Sequence, residues 1–234
     1  MAATSPADLR RIRSDRAESK DAAFLLPRLG HGWQASAGFV AGGLVTAVLM
    51  LGSAALSTVA WWEVVGRFGG FALGGAIGGA ALAWGLPGKR GWRHGAMGFA
   101  LGMLAPAFLA GSAVAEIISF QRDRDITAIG LAAFIAFSTG YGIGGALGMS
   151  FVWPKLFWTA GWRFFFAGGL GGLICAGGAA LAGDPRTLTA ERAMLTTAVV
   201  LLGHLTPFAL GGWLAGRAVD AELNPAPQRR RRSR

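Results

Sequence analysis

Six stretches of this chain, 29–62, 68–88, 94–115, 126–154, 164–183 and 193–216, contain no Asp, Glu, Lys or Arg. Each reaches the roughly 20 apolar residues that an α-helix needs to cross a ~30 Å hydrocarbon core. Polar residues are too few within the runs to give any of them a wet face, so they read as helices surrounded by apolar material on all sides. The pattern predicts an all-α, polytopic membrane helix bundle of six transmembrane helices. A polar segment, 1–28, precedes a six-span membrane domain, 29–219, and a basic tail, 220–234, follows it.

A second pattern lies within the first. At a spacing of 70, Phe71-Ala72-Leu73-Gly74-Gly75-Ala76-Ile77-Gly78 aligns with Tyr141-Gly142-Ile143-Gly144-Gly145-Ala146-Leu147-Gly148, and Gly91-Trp92-Arg93 aligns with Gly161-Trp162-Arg163. Phe208-Ala209-Leu210-Gly211-Gly212 repeats the first motif again, with Pro207 and Ala215 where Gly70 and Gly78 would fall. The chain therefore reads as three tandem two-helix repeats near 32–86, 91–152 and 161–219. Each crosses the membrane twice, so all three share one orientation about an axis along the membrane normal. Gly70, Gly74 and Gly78, like Gly140, Gly144 and Gly148, recur every fourth residue on one helix face; with Gly211 they predict a seam of close helix packing, a glycine zipper.

Composition refines this picture. Hydrophobic residues make up 53% of the 234 and glycine another 38 positions, which excludes a soluble domain and a disordered chain. The single cysteine, Cys175, excludes an intramolecular disulfide and a thiolate-built metal site. The net charge of +10 comes from residues flanking the spans, so it points to topology rather than to nucleic acid. Assigned alternately to two sides, one side holds 17 of the 22 Lys and Arg: the N-terminal segment, the loops near 87–93 and 153–163, and the tail. By the positive-inside rule that side is cytoplasmic, with both termini there and the chain integral to the cytoplasmic (inner) membrane. Trp33, Trp84, Trp92, Trp153, Trp158, Trp162 and Trp213 fall at the same ends, as interfacial aromatics do. The polar first 27 residues and the length of 33–62 predict a retained signal anchor rather than a cleaved leader. Ser5-Pro6-Ala7-Asp8 resembles a helix start, predicting a surface helix over 6–24.

Chemistry is sparse. No serine-protease, zinc-protease or phosphate-loop motif is present, and the charge-free interiors lack the carboxylate and lysine relays of proton-coupled pumps. The expectation is a non-enzyme with no catalytic residue, cofactor or metal. Four polar side chains deep in the runs, His204, Tyr141, Ser138 and Thr139, are candidates to line a solute path or to bridge helices, with Glu116 at the outer end of the third span as a cation-attracting mouth or an interfacial anchor. Ser138, Thr139 and Tyr141 are the expected partners of His204. Pro106 and Pro207 should each kink a helix or free a carbonyl. Two functions remain open: a channel or transporter for a small solute, and a non-catalytic structural or assembly subunit. Partners are the lipid bilayer, anionic lipids at the basic tail, and a membrane protein or further copies of the chain. A reporter that is active only in the cytoplasm should work when fused after residue 89 or 234 and fail after residue 122; the opposite pattern would invert the assigned topology.

Overall fold

The computed structural model describes residues 30–56, 60–86, 91–111, 126–182 and 189–224. The expected surface helix at 6–24, Glu116 and the tail beyond 224 lie outside them. The described residues form six long helices: α1 (His31–Leu56), α2 (Ala60–Ala83), α3 (Trp92–Gly102, resuming over 104–111), α4 (Ile126–Val152), α5 (Phe157–Ala182) and α6 (Ala190–Leu223). All six are long and apolar enough to cross a membrane, so the described residues are all-α and carry the six candidate spans of a polytopic membrane protein. The helical state follows from the solvent, because in hydrocarbon every backbone N–H and C=O must be satisfied within the segment. Glycine is accepted in helix interiors where it would weaken a helix in water. At 1.5 Å per residue the 34 residues of α6 run about 50 Å, so its last turns reach beyond the ~30 Å core.

Helices that follow one another in the chain pack side by side, and α1 also packs along α6, so the six helices close a ring in chain order. Every adjacent pair is antiparallel. Gly42 meets Gly74 whereas Gly70, further back along α2, meets Thr46, further forward along α1. The same inverse order joins Gly79 to Gly95 and Gly75 to Phe99 between α2 and α3, and His31 to Gly216 and Gly43 to Leu205 between α1 and α6. Pro106 and Pro207 behave differently from each other. The helical run of α3 is interrupted at Met103, three residues before Pro106, whereas α6 continues through Pro207. Both prolines are fully buried against glycines of a neighbouring helix, Pro106 on Gly140 and Pro207 on Gly171.

The centre of the ring is filled by aromatic rings in two layers. Phe39, Phe99 and Phe164, one from each odd-numbered helix, form a triangle with centroids 5.0, 5.5 and 5.9 Å apart. Each ring is wedged between two even-numbered helices and seated on their glycines: Phe39 on Gly78 and Gly212, Phe99 on Gly79 and Gly148, Phe164 on Gly145 and Gly211. The next layer comes from the even-numbered helices. Phe71, Tyr141 and Phe208, which head the three aligned motifs, meet with centroids 5.6 to 6.2 Å apart. Such tilted and edge-on arrangements suit the ring quadrupoles. Large apolar side chains on the outside of the ring, Val48, Phe108, Leu131 and Leu202 among them, are 60% or more exposed, a surface suited to lipid rather than water.

Contact at the seams is backbone to backbone. A methyl on Gly79 would collide with the Gly95 carbonyl and the Phe99 side chain, whereas one on Gly69 or Gly177 meets nothing within 4 Å. Gly79→Ala should therefore cost about 1–3 kcal/mol, the usual penalty of overpacking. Gly69→Ala and Gly177→Ala should be neutral or stabilising by up to about 1 kcal/mol through helix propensity. Reversible unfolding in mixed micelles measures all three.

Candidate functional site

His204 stands in α6 one turn before Phe208. Its Nε2 lies 3.2 Å from the carbonyl oxygen of Gly43 on α1. A carbonyl only accepts, so Nε2 carries the proton and donates. The imidazole also abuts Phe71 edge-on at 5.7 Å and Phe208 at 5.3 Å. The partner is thus a backbone carbonyl of the first span rather than a hydroxyl of the fourth. The ring order explains the difference: α6 lies between α5 and α1, and the aromatic layer stands between His204 and α4.

Ser138 and Tyr141 lie one helical turn apart on α4, both fully buried, and neither hydroxyl has a hydrogen-bond partner among the described residues. Ser138 faces Gly169 of α5, while the Tyr141 ring points inward against Phe71, Phe137 and Phe208. Thr139 points elsewhere, into a lateral groove between α4 and α5. The structure therefore sets Tyr141 and His204 each against Phe71 and Phe208, keeps Ser138 against Gly169 in the α4/α5 interface, and turns Thr139 into the outer groove of the same pair. Of the seam glycines, Gly70, Gly74 and Gly78 face Thr46, Gly42 and Phe39 of α1. Gly140, Gly144 and Gly148 face Pro106, Gly102 and Phe99 of α3, and Gly211 faces Phe164.

A polar clasp that the sequence reading missed sits where α1 begins. Asp220, near the end of α6, receives the His31 backbone N–H at 3.0 Å on one carboxylate oxygen and the Gly32 N–H at 3.3 Å on the other. His31 Nδ1 lies 2.8 Å from the first oxygen as well. The first N–H groups of a helix have no intrahelical acceptor and carry the positive end of its dipole. A carboxylate placed there caps α1 from a residue 189 positions away. Around it, Trp33 and Trp213 meet edge-on at 6.3 Å, and the Arg217 guanidinium covers the Trp213 ring at 5.4 Å. Gln34 Nε2 donates to the Ala81 carbonyl at 2.8 Å, joining α1 to α2, and Arg163 donates to the Leu214 carbonyl, joining α5 to α6. The only local hint was an acidic residue near the end of the last span; nothing nearby in the sequence points to α1.

Among the described residues no three His, Cys, Asp or Glu side chains group closely enough to hold a metal ion. Cys175 is buried on α5, its Sγ 3.5 Å from the Val200 carbonyl. No family model, curated protein or solved structure matches the chain. Asp220→Ala removes the cap and should lower stability in detergent by about 1 kcal/mol, the usual worth of a capping side chain. Asp220→Asn, which keeps an acceptor but loses the charge, should fall between; melting temperatures equal to wild type for both would show that the clasp does not hold the ring shut.

Proposed function

We propose that this protein is a non-catalytic structural or assembly subunit of the cytoplasmic (inner) membrane, a closed helical bundle that packs against other membrane proteins through its outer face. One observation carries the reading. The line along which a solute would travel is occupied by six aromatic rings in two stacked triangles, each ring of the first triangle locked between glycines of two helices. Moving one ring aside requires opening at least one seam of close backbone contact.

Three tandem parallel hairpins fit the same geometry. The first residues of the aligned motifs, Phe71, Tyr141 and Phe208, converge at one level of the bundle, as positions related by an axis along the membrane normal would. Glycine zippers within and between the hairpins then serve as the packing device. The excess of Lys and Arg in alternate hydrophilic segments supports cytoplasmic termini. The six runs without Asp, Glu, Lys or Arg support a non-enzymatic role.

The second reading, a channel or transporter for a small solute, draws on one specific observation. Among the described residues the Ser138 and Tyr141 hydroxyls are buried without partners, a costly condition in an apolar interior and one that a passing polar molecule would relieve. On the assembly reading, gentle detergent extraction from native membranes should bring a second membrane protein in fixed proportion. Proteoliposomes of the chain alone should pass a panel of small ions and neutral solutes no faster than empty vesicles. Flux above that background, lost in both His204→Ala and Tyr141→Phe, would overturn the assembly reading and establish conduction.

A further inference from the structure

The lateral groove between α4 and α5 is a cavity of about 300 Å³ on the outside of the ring. It exists because small residues bring the two helices together while large ones wall the space above. A methyl on Gly161 would sit 3.1 Å from the Ala146 side chain, and one on Gly142 would sit 3.1 Å from that of Phe165. Trp158 and Trp162 stand over this floor, 72% and 55% exposed, opposite Ile143. The walls are propped by neighbouring rings: Trp162 contacts Phe165 at 5.3 Å and stacks on Phe166 at 5.9 Å, and Trp158 meets Phe157 edge-on at 5.2 Å. The lining is almost wholly apolar, with the Thr139 hydroxyl as its polar exception.

Charge marks one end. The 3₁₀ turn Pro154–Leu156 leads straight into Phe157 and Trp158, and it carries Lys155, which is exposed. Lysine and tryptophan are the side chains that settle at the headgroup level of a bilayer. Arg163, the other cation on this segment, is turned toward α6 and engaged by the Leu214 carbonyl. Lys155 thus presents an exposed ammonium two residues before Phe157, which lines one end of an apolar slot that opens sideways into the hydrocarbon. A closed ring leaves its outer grooves to lipid, and a positive charge at the rim selects among headgroups.

The geometry points to a binding site for an anionic phospholipid, one acyl chain lying along the α4/α5 groove and the phosphate at Lys155. The aromatic walls hold the chain, and the ammonium sets the preference for negative headgroups. The site is independent of whether the bundle conducts or assembles.

Native mass spectrometry of the full chain, with phosphatidylglycerol and phosphatidylcholine supplied in equal amounts, tests this. One phosphatidylglycerol per chain should be retained in preference to phosphatidylcholine. Lys155→Gln should reduce that retention roughly fivefold, the factor worth one basic charge beside an anionic surface, and leave phosphatidylcholine unchanged. Ile143→Trp fills the groove from an exposed position and should abolish retention of either lipid there, with the helical circular dichroism signal intact. Equal retention of both lipids by wild type, or full phosphatidylglycerol retention by Lys155→Gln, would overturn the assignment. So would a dimer that Ile143→Trp dissociates, since a second copy would then occupy the groove.

Discussion

Helices in lipid gain little by hiding apolar side chains from one another, because the surrounding chains are equally apolar. What remains is dispersion, which falls off over a fraction of an ångström and therefore rewards only near-contact of backbones. Glycine makes that contact available, and each seam of this bundle uses it: Gly42 with Gly74, Gly79 with Gly95, Gly102 with Gly144, Gly168 with the Phe137 carbonyl, Gly171 with Gly203, and Gly216 with the His31 carbonyl. The rest of the architecture depends on this closeness. Because backbones nearly touch at the seams, the space inside the ring is small enough for three phenylalanine rings to fill one level of it. The glycines beside the seams, Gly78, Gly148 and Gly211 among them, then become the sockets in which those rings sit.

Five seams join helices that follow one another in the chain. The sixth, between α1 and α6, has no tether and must be chosen against every other surface the two helices could touch. It carries several specific polar contacts. Asp220 caps α1, His204 donates to Gly43, and the two tryptophans Trp33 and Trp213 meet beside Arg217. A hydrogen bond in the low-dielectric bilayer interior discriminates between registers because its alternative is an unsatisfied group. His204 in mid-span and Asp220 at the end fix the seam at two depths. A sliding or rotated pairing of α1 and α6 would lose both.

Six spans were legible because charge is expelled from hydrocarbon, and the expulsion leaves its mark residue by residue in the sequence. The faces that carry Gly70, Gly74 and Gly78, and Gly140, Gly144 and Gly148, were legible for a related reason: a four-residue period is a property of one helix alone. Pairing across the ring was not. The partner of His204 is a backbone carbonyl, which every residue possesses and no sequence pattern distinguishes. Asp220 and His31 are separated by 189 positions, and neither residue type announces a cap supplied from another helix. Thr139 shows the converse limit. Its proximity in sequence to Ser138 and Tyr141 suggested a common site, yet 100° of helical rotation per residue sends neighbours to different faces, and Thr139 looks out to the groove while Ser138 looks in.

A bundle with a filled centre and bonded seams confines its variable chemistry to the surface. On the first turns of α5, Trp158, Trp162 and Phe166 are each more than half exposed. In water such a patch would promote aggregation; in a bilayer it costs nothing and supplies flat, rigid contact area for whatever packs there. The lipid-facing side of α4 next to it carries Ile143 and Leu147, part-exposed and of ordinary size. Asymmetry of this kind is not required by ring closure, which the glycines and the inner phenylalanines already satisfy. The exposed rings of α5 and the groove beside them are thus features of the outer face alone, set apart from the contacts that close the ring.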